Sequence, residues 1–154
     1  MTTYLIFTLS FFFIHFICYI TAGVIDLKLA KKMYSGKDRL YRSFFRDMAN
    51  EKESMRIAKL LLPSQFLRAV LMSAVLFPIL PFLQEMTFEM QAVFMGGLMF
   101  VYADLASAIP FSNTIEGLVY LKKEFVAKNV FWTIQLEAII YSIMFGLLSA
   151  ILLI

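Results

Sequence analysis

The stretch FMGGLMFVYADLASAIPF, residues 94–111, carries no cation and one carboxylate, Asp104, among apolar and small residues. Extended back to Met90, it reaches the roughly 17 to 25 residues that a helix needs to cross the hydrocarbon core. Reading it as a span fixes the number of crossings and the side of the membrane on which each connection lies. Three further segments meet the same length: Tyr4–Ile25, Phe66–Leu83 and Val130–Ile154. The expected fold is therefore all-α, an integral membrane protein whose four transmembrane helices form one domain over residues 1–154, a four-helix bundle.

Composition agrees with this reading. The 154 residues are 61% hydrophobic, with mean hydropathy +0.79, which is too apolar to hide in one soluble core of this size. Charged residues make up 16%, against about 25% in ordinary soluble domains, and they are clustered. One cysteine, Cys18, excludes an internal disulfide framework, and with a single histidine it cannot build a usual zinc site. No metal, cofactor or nucleic-acid partner is expected. The first apolar run has no basic residues before it and is too long for a signal-peptide core, so it is expected to remain as a span.

The cations fall on alternate connections. Eleven lie from Lys28 to Arg68, three (Lys122, Lys123 and Lys128) between the third and fourth spans, and none elsewhere. The positive-inside rule then predicts an N-terminus outside, two cytoplasmic connections and a C-terminus outside, in a cytoplasmic (inner) membrane.

The cytoplasmic segment, residues 26–65, continues span one as far as SGKD, where Gly36 can end a helix and Asp38 can cap the next. From Asp38 to Leu62 the spacing of Leu40, Phe44, Met48 and Met55 predicts an amphipathic helix, with Arg39, Arg42 and Arg46 on other faces. Such a helix would rest on lipid headgroups or pack on a neighbouring element. Pro63 would then open span two, and Pro78 and Pro81 predict a kink or early end near its outer side.

Inside the spans, Asp104, Glu137 and Arg68 are the candidate polar cluster. A lone intramembrane charge costs several kcal/mol by insertion scales, so pairing, protonation or water is required. One expectation is a clasp of Arg68 with Asp104 or Glu137, Asp104 being favoured because a tight turn joins spans two and three. The other is a cytoplasm-facing polar cavity. His15 and Cys18, three residues apart on one face of span one, are a candidate midplane relay, and Gly96 and Gly97 are expected to admit a closely packed helix.

Two short stretches resemble known families. NTIEGLV, residues 113–119, is similar to a membrane-edge segment of prokaryotic diacylglycerol kinases over those seven residues, although that family has three spans. RDMANEKES resembles the R-x-x-x-N-x-x-E pattern of MAPEG proteins through Arg46, Asn50 and Glu53, but it precedes span two, and the family's arginine pattern after span three is missing. What these imply is no more than an alternative as a lipid- or glutathione-handling membrane enzyme, and no family is assigned on them.

No nucleophile elbow, phosphate loop or histidine-rich set is present, so no catalytic residue is nominated. The expected function is a non-catalytic subunit or assembly partner in a larger membrane complex, contacting the bilayer and other membrane chains or copies of itself. The main alternative is a small oligomeric channel or a cation- or proton-coupled transporter.

Overall fold

A computed structural model describes residues 1–153. The described chain is helical, with no β-strand. Helix α1 covers Thr2–Leu29, the single turn α2 Lys31–Tyr34, and α3 Glu51–Leu76. A 3₁₀ turn, Phe77–Ile79, leads into α4, Leu80–Glu85. Helix α5 runs Phe88–Leu98 and continues as a π-helix over Met99–Leu105; α6 is Ile115–Tyr120 and α7 is Lys128–Leu152.

Three of these rods are long and apolar enough to cross a membrane: α1, the combined α3–α4 rod Glu51–Glu85, and α7. Each leaves large apolar side chains exposed, such as Phe13 on α1, Leu67 and Leu71 on α3, and Ile143 on α7. Lipid is the solvent that suits them. The protein is a membrane protein on this evidence.

Packing runs in the order α3, α1, α7, α5: α1 lies against both α3 and α7, and α7 against α5. The α5–α7 crossing is close because both helices are bare there. A Cβ on Gly96 would stand 2.9 Å from the Ser142 carbonyl oxygen, and one on Gly146 would collide with the Ala92 carbonyl oxygen. Gly96 thus performs the packing role expected of the glycine pair. Gly97 does not, since nothing lies within 4 Å of the place its Cβ would take.

Three expectations need correction. No helix begins at Asp38: residues 37–50 are turns and bends, and α3 starts after Asn50, whose side-chain oxygen accepts from the Lys52 and Glu53 N–H groups at 3.1 and 3.2 Å. Leu40, Phe44 and Met48 therefore share no helical face with Met55. Pro63 sits inside α3 instead of opening it. The third candidate span ends its helix at Leu105, not Phe111, because the chain turns at Ala106 and Ser107.

Residues 35–50 instead form a compact cap. Gly36 takes a positive φ of 99° just past α2, the helix-ending role its sequence suggested. The Asp47 carboxylate accepts from the Gly36 and Ala49 N–H groups at 3.1 and 2.9 Å, and it pairs with Arg39 at 3.2 Å. Arg39 also donates to the Gly36 and Phe45 carbonyls. These backbone N–H groups first, and then Arg39, hold the Asp47 carboxyl below the usual carboxylate range.

Candidate functional site: a polar cavity between helices

Helical spacing brings one stripe of α1 toward α7. His15, Tyr19, Ala22 and Asp26 recur at intervals of four, three and four, which places them on one face. On α7, Ile134, Glu137, Ala138 and Tyr141 form the matching stripe. Between them lies a polar cavity of about 120 Å³. His15, Tyr19, Glu137 and Tyr141 contribute to its walls, joined by Arg68 from α3 and Asp104 from the π-helix. Phe111 and Asn113, from the segment after that helix, complete one end.

The cavity gathers the three charged residues expected to cluster, but without the clasp. Among the described residues the one ion pair within 4.0 Å joins Arg39 to Asp47, so Arg68 grips neither Asp104 nor Glu137. The tight turn did not make spans two and three packed neighbours. The proline-rich break at residues 77–81 inserts a 3₁₀ turn and the short α4 between them, and α3 and α5 share no extensive contact. Asp104 is also one residue from the end of its helix, not well inside one that continues to Phe111. Helices with π geometry often mark functional positions, because their widened turn re-aims side chains.

His15 is fully buried and joins three helices. Its Nε2 lies 2.9 Å from Gln65 Oε1 on α3, and its Nδ1 lies 2.5 Å from the Tyr141 hydroxyl on α7. Since that amide oxygen only accepts, Nε2 carries the proton of the neutral ring and Tyr141 donates to Nδ1. Cys18 is not its partner. That thiol is buried in the apolar cluster with Phe11 and Ala22, and the hydrogen bonds of His15 go to Gln65 and Tyr141 instead. Gln65 was missed because its register toward His15 depends on α3 running unbroken through Pro63.

Asp26 was missed as well. It is 4% exposed, and its Oδ1 has no hydrogen-bond partner. The signal is legible in the stripe it shares with His15 and Tyr19, but the basic run beside it masks that signal. Glu137 leans toward the same helix, its Oε1 3.7 Å from where a Cβ on Gly23 would stand.

An aromatic cluster closes the end of the cavity nearest the cap. Phe111, which lines the cavity, lies 5.6 Å from the Tyr41 ring and 5.8 Å from Phe45. Tyr41 is fully buried, 2.6 Å from the Ser112 hydroxyl oxygen, and its ring is parallel to Phe125. Burial pushes both the Tyr34 and Tyr41 phenols above their ordinary range, so they stay neutral. Leu40, Phe45 and Met48 pack on this cluster, and so does Phe44, 5.2 Å from the Tyr41 ring and 5.8 Å from Phe125, although it is 53% exposed; Met55 is also 53% exposed, and Arg42 and Arg46 are exposed.

Among the described residues no group of three or more histidine, cysteine or carboxylate side chains is placed to hold a metal ion. A second hollow, an apolar groove of about 580 Å³, runs along α5 and α7 past Gly97 and Ser142. No protein-family profile, curated protein or solved structure matches the chain.

Proposed function

We propose that this chain is a single-domain, four-span protein of the cytoplasmic (inner) membrane, with both ends outside, whose polar cavity binds a small cationic group. α5 with its π-helical extension would be the third span in chain order, added to the three long rods. One observation carries the functional reading: Asp104, Glu137 and Arg68 line one cavity, yet neither carboxylate is ion-paired. Two carboxylates against one guanidinium leave an excess of negative charge, which in a medium of low dielectric favours a cation, or a proton, as occupant. Within an oligomer, the same site would serve a channel or a cation-coupled transporter.

The test is thermal unfolding of the purified protein in mild detergent at constant ionic strength, with sodium, potassium, ammonium or ethanolamine as the added cation. A binding cation at about ten times its Kd contributes roughly 1.4 kcal/mol, which raises Tm by about 3–6 °C in a chain of this size. Asp104→Asn with Glu137→Gln should abolish the rise. A wild-type Tm indifferent to all four cations would refute the proposal.

A second reading, the non-catalytic subunit, is favoured by the apolar α5–α7 groove, into which another chain's helix would fit. Instability of the isolated protein, cured by a co-purifying chain, would support it. A stable homo-oligomer would count against it.

A further inference from the structure

The geometry points to a membrane lipid as the source of that cation: the cavity takes the headgroup of an aminophospholipid, its ammonium between Asp104 and Glu137 and its phosphate against Arg68. This rests on the cation-site reading given above and adds which molecule supplies the cation and by what route.

The route follows from what is open and what is closed. Toward the cap, Phe111 sits beneath Tyr41 and Phe45, and the fully buried Tyr41 is tied to Ser112, so that end is stopped by packed rings. At the back, α1 and α7 are packed together along their length. The remaining side is the one between α3 and α5, which are joined through the 3₁₀ turn, α4 and Met86–Thr87 but not packed against each other. Arg68 stands there and is exposed, next to Phe66 and Leu67, which are 45% and 60% exposed and suited to acyl chains. An entrance flanked by such side chains opens on lipid.

The charges are ordered to match. Arg68, at the mouth, presents a guanidinium suited to phosphate. Glu137 and Asp104 offer carboxylates to an ammonium group. The depth is within reach, because Trp132, a residue type enriched at the membrane interface and here 56% exposed, precedes Glu137 by five residues, roughly 7.5 Å of helix. A cavity of about 120 Å³ has room for a compact ammonium. A primary ammonium donates hydrogen bonds to both carboxylates, which a trimethylammonium head cannot do. A purely anionic headgroup would meet two like charges behind Arg68.

The experiment is lipid retention. The full chain is reconstituted in nanodiscs of phosphatidylcholine containing equal fractions of phosphatidylethanolamine and phosphatidylglycerol, released into mild detergent, and its bound lipids are counted by native mass spectrometry. Thermal unfolding with soluble ethanolamine is measured in parallel. Phosphatidylethanolamine should be retained about tenfold over phosphatidylcholine, the scale of one charge-assisted pair. Glu137→Gln and Asp104→Asn should erase that preference, and Met55→Ser, exposed on α3 and outside the cavity, should keep it. Arg68→Gln should weaken lipid retention while leaving the ethanolamine response. Equal retention of the two zwitterionic lipids with an intact ethanolamine response would overturn the lipid inference and spare the cation site. Loss of both responses in the wild type would overturn both. Preferential retention of phosphatidylglycerol would show Arg68 acting alone and would also overturn the inference. The wild-type comparison stands even if a variant fails to fold.

Discussion

His15 illustrates how much one side chain can fix. It ties α1 to α3 and α7 at once, and its loss orphans both Gln65 and Tyr141. Interhelical hydrogen bonds in membranes average about 0.6 kcal/mol, but orphaned buried groups add their own cost, so His15→Leu should destabilise by about 1–2 kcal/mol. Tyr141→Phe, which removes one bond and orphans only the His15 Nδ1, should cost less, about 0.6–1 kcal/mol. Reversible unfolding in detergent would check both, and equal costs would argue against a three-helix tie. The glycines offer a sharper contrast. Gly146→Leu must push the α5 backbone away and should cost about 1–3 kcal/mol by overpacking. Gly97→Ala meets open space and should be neutral or stabilising by up to about 1 kcal/mol through helix propensity. Comparable destabilisation by the two substitutions, in the same unfolding measurement, would contradict the packing described for α5 and α7.

At the scale of elements, the cap over residues 35–50 hangs on Asp47. Its carboxyl titrates below the unfolded value of about 3.9. The stabilisation it brings is therefore complete above that value and is lost as pH falls through the lower folded pKa. Amide exchange at Gly36 and Ala49 should stay slow, after correction for intrinsic rates, from neutral pH down to about 4, and then accelerate. Asp47→Asn should make trypsin cut at Arg42 and Arg46 several-fold faster at neutral pH. An unchanged cleavage rate would show that Arg39 and the aromatic packing hold the cap without it. This cap is also where the sequence was least legible. Apolar spacing over Leu40, Phe44 and Met48 matches a helix, but Tyr41 and Phe45 gain more by packing on Phe111 and Phe125, contacts more than sixty residues away that no local pattern encodes. The break at Pro78 and Pro81 was legible because proline acts locally. The packing order was not, because it depends on how far that break separates α3 from α5. Of the cavity, Asp104, Glu137, Arg68 and His15 stood out as polar residues in apolar runs, whereas Asn113 depended on where the chain turned, and Gln65, which holds His15 from α3, on that helix running through Pro63.

For the whole molecule, the four-span proposal makes a topological claim. Single cysteines introduced at Thr2 and Thr87 should react with an impermeant thiol reagent on intact cells, while one at Ser54 should react only after the membrane is opened. Labelling of Ser54 from outside would reverse the orientation and place the cap on the other face. Under the same proposal the spans differ in length. The 28 residues of α1 extend roughly 42 Å, while the 11 α-helical and 7 π-helical residues of the third span reach no more than roughly 27 Å at the α-helical rise. One side of the protein is therefore too short for a bilayer core of about 30 Å, and lipid beside α5 must thin to meet it. That thinning would draw headgroups inward on the flank where Asp104 lies near the end of its helix. The protein should consequently be most stable in bilayers of short acyl chains and lose stability as the chains lengthen, and its demand for thin membrane would bias where in a cell's membranes it resides.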